Sequence, residues 1–384
     1  MPTSAFKPCD ILLPRCGIDM SKWAVIACDQ HTSEPEYWNR VQRAVTNVPS
    51  AYYMMLPEHR YRDANIDELI SGTRSAMDAY LRGDVFNTVL DSYVIVERTL
   101  YNGKVRQGIV GAIDLELYDP APHPDSTVRG TEAVVPERLP LRIRLREDAT
   151  IDMPHVLLMT DERFNFTSEE LQSLELLYDF ELMEGGGHIT GRRLPSDSTI
   201  RVPSSDLLLV GDGNHSVASA KACWERAKPT LSAEARESHP LRFALAEVVS
   251  IHDASMEFEP IHRIVFGCEP QRLLETMTRE IPGGEEIGYA YNGHAGLIHV
   301  PSLGAVQTFL DAYSERGHID YIHGDDVAVR LSRESGALSI ILPAINKSGF
   351  FELVRRDGAF PRKAFSIGSA RDKRYYLECR RLTL

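Results

Sequence analysis

The stretch Leu207-Leu208-Leu209-Val210-Gly211-Asp212-Gly213-Asn214-His215-Ser216-Val217-Ala218-Ser219-Ala220 changes its periodicity in mid-course. Residues 207–210 are uniformly apolar, as in a buried strand, whereas Val217, Ala220 and Trp224 recur at the spacing of one helix face. The intervening residues therefore form a tight turn, with a helix beginning near His215. A strand, a tight turn and a helix in succession make the chain α/β, of the mixed α+β kind, with mixed sheets and flanking helices. Two glycines let the backbone reach positive φ and approach a ligand closely, and the following helix offers its first N–H groups to an anion. Gly211 and Gly213 are thus candidates for cradling phosphate. Asp212 can hold a metal or a substrate hydroxyl, His215 can donate to a phosphate oxygen or carry a proton, and Asn214 and Ser216 add hydrogen bonds. The plain alternative is an ordinary turn capped by Asp212 or Asn214.

Working outward, Ala24 to Cys28 reads as a short buried strand, and Thr32-Ser33-Glu34-Pro35 opens a helix carrying Tyr37 and Trp38. Ile66, Leu69, Ile70, Met77 and Tyr80 mark a second helix. Tyr93 to Arg98 and Arg106 to Leu117 form a hairpin about Asn102-Gly103. From Gly130 to Arg146 the chain is rich in Pro and Arg and reads as irregular, and strand character returns at Val156 to Thr160. Leu241 to Ile251 reads as a strand buried on both faces, with Phe258 to Phe266 its expected partner at the sheet centre. Beyond Gly267 come short strands near Glu286 to Tyr291 and Leu297 to Val300, then a helix bearing Val306, Phe309, Leu310 and Tyr313. These changes divide the chain into a main lobe, 1–266, and a smaller α+β lobe, 267–384. No flexible linker separates them, so close packing is expected.

The chain has 384 residues, 43% hydrophobic and 25% charged, which suits a folded protein with more than one core. A net charge of −13 repels nucleic-acid backbones, and no helix-turn-helix pattern is present, so nucleic acid is not an expected partner. Six scattered cysteines without C-x-x-C spacing indicate a reducing compartment, and no apolar run approaches the ~20 residues of a membrane span. A cytoplasmic protein without membrane association is expected. Basic residues gather only near the C-terminus, at Arg362, Lys363, Arg371, Lys373, Arg374, Arg380 and Arg381. With Ser366, this segment can balance a polyphosphate at the turn, or serve as a solvated edge strand ending at Tyr375-Tyr376.

Asp29, Glu132 and Glu259 are the candidate general bases; Asp29 comes first because it follows a strand, and ligands gather at strand ends in open α/β sheets. His155, His188, His262 and His323 each lie next to or near Pro or Gly and can converge. No H-E-x-x-H, G-x-S-x-G, Walker or G-x-G-x-x-G pattern occurs, and no structural zinc is expected.

Gly211-Asp212-Gly213-Asn214-His215-Ser216 with Ala218 and Lys221, and Phe258-Glu259-Pro260-Ile261-His262-Arg263 downstream, resemble the widespread bacterial family catalogued as domain of unknown function 1015. The resemblance extends to Trp23–Trp38, Arg129-Gly130-Thr131-Glu132, Pro154-His155, Gly185–His188, Tyr321–Gly324 and Pro361–Gly368. The turn also resembles, remotely, the phosphate-gripping segment of the group that holds partition-protein-B-like proteins, sulfiredoxin and archaeal free serine kinase. That group has Asp-Gly-His-His-Arg, whereas Asn214 and Ser216 stand here at the first His and the Arg. An arginine clamp must then come from elsewhere, with Arg242, Arg263 and Arg362 as candidates.

The remote resemblance implies a phosphotransferase moving phosphate from ATP or ADP to a small hydroxyl compound, serine being the analogue, with Mg²⁺ bridging the phosphates. Its expected catalytic residues are Asp212, His215, Asp29 and Glu132. Gly211, Gly213, Asn214, Ser216, Arg362, Lys363 and Ser366 would hold the nucleotide, and Glu259, His262 and Arg263 the substrate. The alternative is a non-catalytic nucleotide or metabolite sensor using the same turn.

Overall fold

The computed structural model describes residues 4–32, 34–121, 126–204, 206–313, 317–344, 346–360, 364–368 and 372–384. The fold is mixed α/β, with parallel and antiparallel strand pairs in one large sheet and helices around it. The chain divides into two compact units. Met1–Gly130, Val134–Met256 and Ser369–Leu384 form the first, and Thr131–Ala133 with Glu257–Gly368 the second.

This division differs from the expected break at 266/267. The Phe258–Val265 strand is antiparallel to Ile319–His323, Leu338–Ile341 and Phe365–Ile367. The expected partner, Phe243–Ser250, lies instead between Val105–Asp114 and Val156–Thr160. Continuous apolar character reports burial on both faces but does not say which strand lies alongside. The C-terminal end returns to the first unit, where Tyr375–Tyr376 pairs with Val25–Ile26 and Arg380–Arg381 with Ile151–Asp152.

The first unit is built on an 11-stranded sheet. Its main path runs Leu176–Glu181, His188–Pro195, Phe86–Thr99, Val105–Asp114, Phe243–Ser250, Val156–Thr160, Leu208–Asp212, Val128–Gly130 and Tyr118–Asp119. The hairpin expected about Asn102-Gly103 is present, with Gly103 at φ +79. Because side chains alternate along a strand, the central strands feed two cores. Val94, Val96, Val110 and Leu245 pack with Trp38 and Val41 of the Pro35–Ala44 helix and Met77 of the Ile66–Arg82 helix. Ile95, Ile109, Ala246 and Val248 pack with Val217 and Trp224 of the Asn214–Ala227 helix. Each large apolar side chain buried in this way contributes on the order of 1.5–3 kcal/mol, more than a surface ion pair supplies, so apolar packing fixes these helices on the sheet.

Residues 130–146, expected to be irregular, contain a helix at Leu139–Glu147. Pro140 lies in its first turn, where the missing N–H costs nothing, and Arg is a good helix former, so the Pro- and Arg-rich composition is compatible with a helix. The strand expected at Ala24–Cys28 is confined to Val25–Ile26 and belongs to a two-stranded ribbon outside the large sheet.

The second unit is an antiparallel sheet in the order His294–Val300, Glu285–Tyr291, Leu338–Ile341, Phe258–Val265 and Ile319–His323. Leu273 and Met277 of the Pro270–Glu280 helix and Val306 and Leu310 of the Leu303–Ala312 helix cover it. Among the described residues no helix is long and apolar enough to cross a membrane.

Candidate functional site

The Leu208–Asp212 strand lies between Val156–Thr160, antiparallel, and Val128–Gly130, parallel. Val210 and Asp212 face Leu158 and Leu157 in succession, so Gly211 is the extra residue of a bulge, which re-aims the side chain that follows. Gly213 then takes φ +90 as the N-cap of the Asn214–Ala227 helix, and no side chain caps that end. Of the two glycines expected to supply positive φ, Gly213 does so and Gly211 forms the bulge. All six residues from Gly211 to Ser216 are half-buried, so the helix N-terminus is not sealed in the core.

Asp212 was expected to hold a metal or a hydroxyl; it instead receives Arg374, whose Nε lies 3.2 Å from Oδ2. Nη1 of Arg374 donates to the His155 carbonyl at 2.9 Å. A Cβ on Gly213 would meet Nη1 at 2.6 Å, so the absent side chain is what lets the guanidinium lie against the turn. Burial opposes ionisation of Asp212, but Arg374, Lys373 and the Gly213 N–H outweigh it and hold the carboxyl below its usual range. Among the described residues, Arg374, rather than Arg242 or Arg263, is thus the arginine that pairs with Asp212. Arg242 pairs with Asp114 at 2.8 Å and Glu237 at 2.7 Å.

Asp29 reaches the same place through the C-terminal ribbon. Tyr375 pairs with Ile26, and the Ala27 N–H donates to the Arg374 carbonyl at 2.9 Å, which sets the Asp29 turn beside Arg374. Burial works against the charge of Arg374, while Asp212 and then Asp29 outweigh it and raise its pKa. Asp29 is half-buried and accepts from Gln30 Nε2 at 3.2 Å.

At His215 one ring nitrogen is already engaged. Its Nε2 accepts the Val135 N–H at 3.1 Å, so a neutral ring carries its proton on Nδ1. Burial, followed by Arg142 and Arg138, lowers its pKa to about 4, against an opposing pull from Asp29. These two arginines come from the Leu139–Glu147 helix and its entry, and both approach Glu58, at 3.9 Å for Arg138 and 3.3 Å for Arg142. Among the described residues, four cationic side chains, Arg138, Arg142, Lys373 and Arg374, therefore stand about the turn against three carboxylates, Glu58, Asp29 and Asp212.

Behind Arg374, His155 lies with Nε2 2.9 Å from Glu247 and Nδ1 3.4 Å from Glu378. Burial favours its neutral form, but the two carboxylates outweigh this and raise its pKa to about 9. Glu247 also faces Arg106 at 3.4 Å and is lowered to about 2, burial opposing the shift and Arg106 and His155 driving it.

The remaining candidates belong to the second unit. Glu259 and Ser366 are register partners across two strands, and His323 Nδ1 lies 4.0 Å from Glu259. Glu132 accepts the Ala364 N–H at 3.2 Å. His262 and Arg263, expected to touch substrate, are fully buried. His262 Nδ1 accepts the Leu342 N–H at 3.1 Å, and Arg263 Nε donates to Gln307 at 3.1 Å while its guanidinium lies over Tyr321. Both hold the unit together from inside. Arg362 and Lys363 lie outside the described residues. The four histidines expected to converge split between the units, His155 and His188 in the first and His262 and His323 in the second, each beside its own carboxylate. Among the described residues no group of three or more His, Cys, Asp or Glu is arranged to hold a metal ion.

Arg138, Arg142 and the specific role of Arg374 were not found by sequence reasoning. The four-residue spacing Arg138, Arg142, Arg146 was the available signal, since it lines one face of a helix.

The family model for the protein of unknown function DUF1015 matches residues 12–338. No curated protein matches. Among solved structures, a mutant free serine kinase in complex with ADP is 15% identical, with TM-score 0.42 over 73% of this chain and 93% of that one. A C-terminally truncated SbnI from Staphylococcus aureus is 12% identical, with TM-score 0.38 over 67% of this chain and 82% of the other. A conserved hypothetical protein from Pyrococcus furiosus is 14% identical, with TM-score 0.37 over 69% and 93%. The match across residues 12–338 decides the assignment: the chain belongs to the DUF1015 family of proteins of unknown function.

Proposed function

We propose that the Gly211–Ser216 turn binds the phosphates of ATP or ADP and that the chain passes a phosphoryl group to a small hydroxyl compound. The observation that carries this reading is the half-buried start of the Asn214–Ala227 helix, with glycine at its N-cap and Arg374, Lys373, Arg138 and Arg142 about it. A helix N-terminus favours negative charge, and guanidinium groups match phosphate oxygens. Asp212 positions Arg374, and neutral His215, with its proton on Nδ1, is a hydrogen-bond donor to a phosphate oxygen. Asp29 accepts the proton of the acceptor hydroxyl as its oxygen bonds to phosphorus and the bridging oxygen leaves with the nucleotide. Mg²⁺ would be held mainly by the nucleotide and water, as is usual for this ion. The test is release of ADP from ATP and Mg²⁺ across a panel of small alcohols, hydroxy acids and amino acids. Acceptor-dependent release abolished in Asp29→Asn supports the reading, and no release above blank with any acceptor contradicts it.

A sensor without catalysis is favoured by a different observation: Asp212 and His215 already have partners, Arg374 and the Val135 N–H. Saturable nucleotide binding with no consumption over hours would decide for that reading.

A further inference from the structure

We infer that the first unit holds a second site, for a small monocarboxylate with a short apolar tail, in a cavity bounded by Arg146 and a group of methionines. The cavity has about 100 Å³ of space, enough for several waters or one small acid. Arg142, Arg146, Met54, Met55, Met77 and Met153 line it, and Ser216, the last residue of the turn, also reaches it.

Charge gives the first reason. Asp152 is buried and pairs with Arg146 and also with Arg380, at 3.2 Å from the latter. Two guanidinium groups thus share one carboxylate. Glu58 is engaged by Arg142 at 3.3 Å and Arg138 at 3.9 Å and does not supply the missing negative charge. One positive charge is left uncompensated in a low-dielectric region, an expensive state that an anion relieves.

Hydrogen bonding gives the second. Arg146 gives Nη1 to Asp152, while its Nε and Nη2 are buried and have no hydrogen-bond partner among the described residues. These two nitrogens form one edge of the guanidinium, with the parallel N–H pair that matches a carboxylate in bidentate fashion. Buried polar groups are normally satisfied, so an orphaned edge beside a cavity calls for a bound acceptor. Arg146 is itself one of the residues that line the cavity. The third reason is shape. Beside the hydroxyls of Tyr61, Thr73 and Tyr376, much of the lining is thioether and aliphatic, which suits two to four carbons and is poor for a fully hydrated phosphate. The site does not depend on the phosphate reading of the turn.

The experiment labels the methionine methyl groups with carbon-13 and titrates the whole protein with sodium butyrate, without nucleotide. The signals of Met54, Met55, Met77 and Met153 should move and saturate, while Met277, in the second unit, stays fixed. Inorganic phosphate at equal ionic strength should leave all of them in place. Arg146→Met, which keeps bulk and removes the donors, should abolish the butyrate response, and Arg146→Lys, which keeps charge and loses the paired edge, should weaken it about tenfold or more. No saturable shift in the wild-type protein would overturn the proposal without any variant needing to fold. An undiminished response in folded Arg146→Met, or equal shifts with phosphate, would overturn it as well.

Discussion

Arg374 and Asp212, 162 residues apart in sequence, meet with Nε 3.2 Å from Oδ2. The contact joins the C-terminal ribbon to the central turn, and Gly213 leaves the space in which it forms. Removing one partner of a buried pair strands the other charge, which costs about 3–5 kcal/mol. Arg374→Met should therefore lower stability by about 3 kcal/mol in urea unfolding, since Asp212 keeps slight exposure. The double variant Asp212→Asn, Arg374→Met should regain part of that loss. Equal losses in the single and double variants would show that the pair is not coupled.

Gly213→Ala tests the turn by geometry alone. The left-handed conformation costs a non-glycine residue about 1–2 kcal/mol, and the added Cβ would stand 2.6 Å from Arg374 Nη1. A loss of at least about 1 kcal/mol together with weaker anion binding is expected, whereas Gly103→Ala, with nothing within 4 Å of its Cβ, should cost only the conformational part.

The buried ion network predicts how stability follows pH. His155 has its pKa raised to about 9, so its contribution is fully present below the unfolded value near 6.5 and is lost as pH rises through about 9. Glu247 is lowered to about 2, so its contribution is present above the unfolded value near 4.5 and is lost as pH falls toward about 2. The His155 contribution should therefore make urea midpoints decline above about pH 6.5 and the Glu247 contribution should make them decline below about pH 4.5, and His155→Gln should flatten the alkaline side. An alkaline decline unchanged in that variant would exclude His155 as its source.

His215 carries a separate prediction. With a pKa near 4 it stays neutral through pH 5–8, and its share of stability, present above about 6.5, fades as pH falls toward 4. Nitrogen-edited NMR should show the Nδ1–H tautomer across pH 5–8 with no titration. A midpoint between 6 and 7 would contradict the hydrogen bond from Val135.

What the sequence made legible was local. The shift from uniform apolar residues to helical spacing after Val210 located the strand, turn and helix, and Asn102-Gly103 located the hairpin, because both patterns are complete within a few residues. Partner choice was not legible. Phe243–Ser250 and Phe258–Val265 carry the same buried-strand pattern yet enter different sheets. Arg374 could be seen as basic but not as the neighbour of Asp212 and Asp29, since its position depends on the pairing of Tyr375 with Ile26. His262 and Arg263, proposed for substrate through the resemblance, each hydrogen-bond inside the second unit, a burial that their neighbours in sequence do not announce.

The central claim is that the turn between the Leu208–Asp212 strand and the following helix receives phosphate. Its most direct test is calorimetric titration of the whole protein with ADP at several salt concentrations, repeated with Lys373→Met and Gly213→Ala. Saturable binding that weakens as salt rises, and that falls by about tenfold, near 1.4 kcal/mol, in each variant, is expected. Undiminished affinity in both variants, or no heat of binding at millimolar ADP in the wild-type protein, would contradict it.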